Sequence, residues 1–488
     1  MATPPGLRNP FQLPELRCRL SRFVTLKDAL SCTLVSKAWT YEFISAIWFK
    51  VDLNIHPLFT DLPANIIAKH GHHIRIAKNV VSHHQISTFA HPAINKLRHL
   101  QIETAASTKT RVQAYEIVAR NNTTLQFLAI FSNSYNFYFT DQSNLYISAP
   151  SFVPLSVASP LSLSTTTFTP SNVLTTLEIT QLCLTHDSLM VILEASPRLT
   201  KIRASKTYIT GTPTRSFQHT GVSLLAWSLN WLFPVEQKTT GPHLLSYFPN
   251  LKAMHTWKSD PNYTIPTDRI KKELTRYCPL LTQYKLEDGT GSITSEFLTN
   301  IATNVTCITF EENCMSPEMV TAIVLHRSTL KKVSHFYTLD FAYEKDQVLP
   351  VPNNIKDLDE MLQLIPRSCV QLERLSLNSY EMDMDVMESA EWVCKDLKKL
   401  RIRVKGLDTK EQILRVIALW RAGCWRRWQE KAKRTNALVV EAEEEEEQEE
   451  VEKQLEEDYS IEARVARHLL KFEHLHWVWL GYQSWTSI

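Results

Sequence analysis

The chain has 488 residues, more than a single hydrophobic core usually serves, so several domains or an extended repeat architecture is expected. Hydrophobic residues make up 44% and charged residues 21%, which suits a chain that buries a large apolar area, while a formal net charge of +2 lacks the overall electrostatic footprint of a nucleic-acid binder. Only 10 glycines leave little room for glycine-rich phosphate loops, and 9 cysteines with no Cys-x-x-Cys pair match neither a disulfide framework nor a four-ligand zinc site.

The opening stretch MATPPGLRNPFQLPEL has no uninterrupted apolar core of signal-peptide length. No run of about 18 apolar residues comes after it, so a cytoplasmic or nuclear location and no membrane partner are expected. Residues 9–53 then show helically spaced apolar positions with three helix starts. Pro14 suits a first helical turn, and Thr25 with Asp28 three positions on is a capping signal for a helix from Leu26 to Ser36.

These residues resemble an F-box. The likeness is carried by Leu13-Pro14-Glu15-Leu16, then Leu20 and Phe23, Leu26 and Leu30, Leu34-Val35-Ser36-Lys37-Ala38-Trp39, and Ile47-Trp48 with Val51. It covers a small share of the chain, and the usual opening LPxE is here shortened to LPE. The resemblance implies a partner, the SKP-type adaptor that joins substrate receptors to a cullin-RING ubiquitin ligase. It also implies that Leu13, Pro14, Leu16, Leu20, Leu26 and Leu30 face that adaptor, while Val35, Trp39 and Trp48 pack inward or against the downstream domain. The open alternative is that the three helices only cap that domain.

Residues 54–90 read as a linker or a solenoid cap. They hold the one dense histidine cluster, His70, His72 and His73 with His83 and His84, but no Cys, Asp or Glu at ligand spacing joins them, so no metal is expected.

From 91 to 488 one hexad keeps returning: apolar, two variable, apolar, one variable, apolar. Clear copies are Leu97-Leu100-Ile102, Leu125-Leu128-Ile130, Leu174-Leu177-Ile179, Leu372-Leu375-Leu377 and Leu397-Leu400-Ile402. Degraded copies begin at Leu199, Leu251, Leu281, Val305, Leu330 and Leu475. The last two apolar positions lie two apart, as one face of a strand requires, and helical stretches such as 186–194 and 317–325 come next. Cys278, Cys369 and Cys394 each stand three residues before a hexad, a recurring slot for a small buried residue.

This pattern resembles the leucine-rich-repeat family, especially its cysteine-containing subtype, although the asparagine often found after the strand is mostly missing. The implied fold class is α/β: a leucine-rich-repeat solenoid, a curved parallel sheet with outer helices, preceded by the small three-helix module. A single unit cannot bury its own leucines, so stacking is obligatory.

Insertions are expected near 132–172, 205–247, 337–368 and 405–470. The first is Ser/Thr/Pro-rich. The last pairs a helix bearing Trp420, Trp425 and Trp428 among Arg421, Arg426 and Arg427 with an acidic run from Glu441 to Glu457. Basic-aromatic interleaving suits a nucleic acid or an acidic peptide, but a packed face with a solvated rim is the commoner use.

No nucleophile elbow, phosphate loop or His-Glu-x-x-His pair is present. The carboxylates Glu311, Glu312, Asp383 and Asp385 fall after repeat strands or in turns. The expectation is therefore no enzyme and no cofactor, but a substrate-recognition subunit of an SCF-type ubiquitin ligase holding a protein substrate on its repeat surface. The alternative is a repeat scaffold of the same fold with no ligase role; nucleic acid is not expected as a partner.

Overall fold

The computed structural model describes residues 13–21, 23–103, 108–131, 173–210, 216–233, 243–257, 266–287, 292–311, 315–336, 358–434, 459–480 and 483–486. The stretch 132–172, the first part of the 337–368 insertion and the acidic run 441–457 lie outside these residues. Two compact units divide the chain, Met1–Leu251 and Lys252–Ile488.

The first unit opens with helices α1 (Pro14–Leu20), α2 (Leu26–Thr33) and α3 (Lys37–Phe49). Strand β1 (Lys50–Asp52), helix α4 (Ala64–His70), strand β2 (Ile76–Val80), helix α5 (His83–Phe89) and strand β3 (His99–Glu103) come after them. Next are α6 (Thr108–Arg120), β4 (Phe127–Phe131), β5 (Thr176–Thr180), β6 (Cys183–Thr185) and α7 (His186–Glu194). The unit ends with β7 (Lys201–Ser205), β8 (Tyr208–Thr210), β9 (Leu224–Ser228) and the single turn α8 (Leu229–Leu232). Its strands run in the order β1-β2-β3-β4-β5-β7-β9, every pair parallel, with β6 and β8 forming a separate parallel pair.

The register explains the hexad. Leu100, Leu128, Leu177, Ile202 and Leu225 stand side by side, as do Ile102, Ile130, Ile179, Ala204 and Trp227, and both rows are buried. The first hexad positions, Leu97, Leu125, Leu174, Leu199 and Val222, are buried in the lead-in turns. Those turns are tied to one another by hydroxyls. Thr175 Oγ1 donates to the Gln126 carbonyl (3.1 Å), Thr200 Oγ1 to the Thr175 carbonyl (3.1 Å) and Ser223 Oγ to the Thr200 carbonyl (3.4 Å).

The second unit comprises β10 (Ala253–Trp257), α9 (Thr267–Tyr277), β11 (Gln283–Glu287), α10 (Ser292–Asn300), β12 (Cys307–Glu311) and α11 (Pro317–Leu325). It continues with β13 (Lys332–Phe336), α12 (Leu358–Ser368), β14 (Arg374–Met382), α13 (Met384–Glu388) and β15 (Lys399–Val404). Last come α14 (Lys410–Arg434), α15 (Ile461–Leu470), β16 (Trp477–Leu480) and β17 (Gln483–Thr486). Strands β10 to β16 pair in parallel, and β17 closes the row antiparallel to β16. Met254, Tyr284, Ile308, Val333, Leu375, Leu400 and Val478 form one buried row through this unit.

Parallel strands joined through helices, with one hexad per strand, make each unit a leucine-rich-repeat solenoid. Helices α7 and α11 fall on the two stretches read as helical from sequence. The slot three residues before a hexad is buried in most repeats of both units, Asn122 (half-buried) and Arg327 (exposed) being the departures. It holds Ser196, His219 and Phe248 in the first, and Cys278, Cys369, Cys394 and Phe472 in the second.

Three boundaries differ from the sequence reading. The stretch 54–90, read as a linker or a solenoid cap, holds β2, paired with β1 and β3, which was hidden because Asn79, at φ 58°, shifts the register so that Val80 takes the inward position. The expected insertion 205–247 holds a further repeat strand, β9, whose hexad Val222-Leu225-Trp227 ends on tryptophan. In 405–470, α14 and α15 pack on each other between β15 and β16, with Gly423 so close to the Leu470 side chain that a Cβ there would lie 2.6 Å from its Cδ1. That stretch contains the repeat's own helical layer, with Trp420 buried and Trp425 exposed.

Helix α15 also carries a buried histidine whose ring nitrogens lack partners among the described residues. His468 is buried edge-on against Trp392 (ring centroids 4.7 Å apart) and beside Phe472 (5.6 Å), with neither ring nitrogen hydrogen-bonded. Burial, with Lys471 and Arg367 adding to it, pushes its pKa down to about 3. The folded pKa lies below the unfolded value, so the neutral ring is tolerated above pH about 6.5 and stability is lost as pH falls from there towards 3. Unfolding free energy should fall by about 1.4 kcal/mol per pH unit across that window relative to His468→Phe. Denaturant melts of the two proteins between pH 7 and 5 check this, and parallel pH profiles would refute it.

Candidate interaction surface

Two of the three N-terminal helices start where the sequence reading puts them. Pro14 sits in the first turn of α1. Thr25 Oγ1 accepts from the Asp28 N–H at 3.2 Å and so starts α2. That helix ends at Thr33, short of the expected Ser36, because the Ser36 hydroxyl serves the next helix by accepting from the Trp39 N–H at 3.3 Å.

The module divides into an anchored and an outward part. Helix α3 buries Phe43, stacks Trp39 on it (5.2 Å), and sets Trp48 against Phe59 (5.6 Å) and His70 (5.2 Å) at the start of the repeats. The Phe49 carbonyl accepts from the Arg75 N–H at 3.0 Å, which fixes the exit of α3 beside β2. Helices α1 and α2 turn apolar side chains to solvent instead. Leu13, Pro14, Leu16, Leu26 and Leu30 are exposed and Leu20 is half-buried.

Two residues not assigned to this surface from sequence belong to it, Phe23 at 86% exposure and Leu34 at 87%. Val35, expected to pack inward or against the downstream domain, is 63% exposed, because α2 stops before it. Seven large apolar side chains, Leu13, Leu16, Phe23, Leu26, Leu30, Leu34 and Val35, are thus left in water within one short segment. Such clustering on a folded chain marks a contact surface.

The other sequence candidates have structural surroundings. His70 lies against Trp48, and the His72 and His73 rings lie 3.9 Å apart, tilted by 41°; burial first, then the neighbouring histidines and cations, push the His73 pKa down to about 4. Among the described residues no three His, Cys, Asp or Glu side chains converge as metal ligands do. Asp383 caps α13 by accepting from the Asp385 N–H at 2.9 Å. Asp385 and Glu388 hold Arg464 of α15, the latter at 2.6 Å. Among the described residues no helix is long and apolar enough to cross a membrane.

No family model matches the chain, and no curated protein matches its sequence. Among solved structures it is similar to the crystal structure of a TLR13–ssRNA13 complex, with TM-score 0.33 and 12% identity over 68% of this chain. The chain spans 41% of that neighbour's length. The fold is established by the pairing of the strands and draws nothing from this likeness.

Proposed function

We propose that this protein is an interaction scaffold. Its repeat strands present a surface to one protein, and helices α1 and α2 dock a second, in the finer reading the SKP-type adaptor of a cullin-RING ubiquitin ligase. The observation that carries the docking half is the exposed apolar cluster on α1 and α2, beside a helix α3 that is already seated on the repeats. A module serving only as a cap has no use for Phe23, Leu26, Leu30 and Leu34 in water. Each buried leucine would contribute roughly 1.5–3 kcal/mol to association before the costs of binding are counted. The mechanism is positioning, which raises the effective concentration of one partner near the other.

The test is capture by a purified SKP-type adaptor of the full chain and of a Leu26→Asp/Leu30→Asp double variant. Both positions are exposed, so the melting transition should be unchanged. Capture should weaken by about a hundredfold or more, as expected when central apolar anchors are lost. Wild-type protein that fails to bind the adaptor would reject the ligase reading and leave the scaffold reading. Equal capture of both proteins would reject α2 as the docking element.

A further inference from the structure

The strands of the second unit alternate buried and solvent-facing residues, as the pattern in Lys399–Val404 shows. Across β12 to β16 the first solvent-facing row reads Cys307, Lys332, Arg374, Lys399 and Trp477. The second reads Thr309, Ser334, Ser376, Arg401 and Trp479. Neighbouring strands stand about 4.8 Å apart, so Lys332, Arg374 and Lys399 set three positive charges within roughly 10 Å.

The fold compensates them only in part and at a distance, Arg374 acting on the adjacent Glu373 carboxylate as a nearby positive charge. Among the described residues none of these three forms an ion pair. Glu373, next to Arg374, is held by Lys398 Nζ at 2.9 Å, and Glu381 by Arg403 at 2.6 Å. Burial pushes the Cys307 thiol pKa up, and Lys332 and Arg374 act against that rise as nearby positive charges. Like charges directly opposite on adjacent strands repel, so an anionic partner would relieve a cost the folded unit carries.

We infer that this face binds an acidic, extended polypeptide segment, with carboxylates on Lys332, Arg374 and Lys399 and the Thr309, Ser334 and Ser376 hydroxyls beside them. The inference rests on the protein-binding reading proposed for the repeats and gives that partner its chemistry. An extended chain with acidic residues at alternate positions spaces its carboxylates about 7 Å apart, which long Lys and Arg side chains can follow. A nucleic-acid strand fits less well, since it needs successive open aromatic platforms. Here the Arg401 guanidinium covers the Trp479 ring at 3.9 Å, and Trp477 is tilted 57° from that ring. Arg374, exposed and planar, suits bidentate carboxylate contact.

The test is fluorescence anisotropy of a labelled, alternating Glu-Ser peptide with the full chain at low and moderate salt. Wild type should bind, more weakly as salt rises. Lys332→Glu/Arg374→Glu/Lys399→Glu should weaken binding about tenfold or more, since three charge-assisted contacts become repulsions. Lys332→Gln/Arg374→Gln/Lys399→Gln guards against a folding defect and should show the loss without added repulsion. Lys271→Glu/Lys272→Glu, at exposed positions of α9, should change nothing. No peptide binding by wild type, equal binding by the triple variants, or tighter binding of an oligouridylate of matched charge would overturn the inference. Adaptor capture should be unaffected by these variants, so failure here and failure of the docking reading appear in separate measurements.

Discussion

Trp227→Ala is expected to lower the stability of the first unit by about 3–5 kcal/mol, the range for deleting a fully buried large aromatic side chain. Trp227 is 1% exposed and lies in register beside Ala204, so its ring occupies the space that the small neighbour leaves. Its Nε1 donates to the Thr207 carbonyl at 3.0 Å, in a turn whose own Thr207 side chain is buried and donates to the Ile179 carbonyl at 3.2 Å. The alanine variant therefore opens a cavity and strands a carbonyl together. Trp227→Phe separates the two: most ring volume stays, the hydrogen bond goes, and the cost should fall to about 1–3 kcal/mol. Urea denaturation of both variants gives the comparison. A Trp227→Ala midpoint no lower than that of a surface substitution would mean β9 is not a working rung.

Trp227 also shows why part of this fold was hard to read. Strands with leucine or isoleucine at all three hexad positions, β3, β4, β5, β14 and β15, stand out because any of those side chains fills the same space. In β7 and β9 the third position holds Ala204 and Trp227, two sizes that fit only as neighbours, so neither looks regular alone. The turn chemistry was present but in another alphabet. The residue after the first hexad position is Thr175, Thr200, Ser223, Thr282 and Thr306 in five repeats, and the hydroxyls of Thr175, Thr200 and Ser223 tie each turn to the one before. A search for asparagine after each strand does not reach this row, which stands before the strand. At the N-terminus the Thr25 cap was legible, since its side-chain oxygen serves Asp28 three residues on, whereas Ser36, read as the end of that helix, caps the next one. Which apolar side chains stay in water was not legible, because it depends on where α2 ends. One short turn put Leu34 and Val35 outside, although helical spacing continued through them.

Where an asparagine does appear, its removal should be among the most damaging changes in the molecule. Asn121 is fully buried at the end of α6. Its Oδ1 accepts from the Leu97 N–H at 2.8 Å, and its Nδ2 donates to the carbonyls of Ile117 at 2.8 Å and Ile94 at 3.3 Å. One side chain thus fastens the lead-in turn of β3 to the end of the following helix, across 24 and 27 residues of chain. Asn121→Leu matches the volume but can make none of these bonds, leaving the buried Leu97 N–H without the asparagine acceptor. With about 1–3 kcal/mol at stake for each buried group left unsatisfied, the total should be about 3 kcal/mol or more. Asn121→Asp keeps the acceptor for Leu97 but forfeits both donations and buries a charge, so it should not rescue the protein. Amide hydrogen exchange gives the most direct reading, because protection at Leu97 should drop in both variants by more than at Leu177, which lies beyond these bonds. Loss of protection spread evenly over the two sites would mean that Asn121 stabilises the unit as a whole and does not pin this turn.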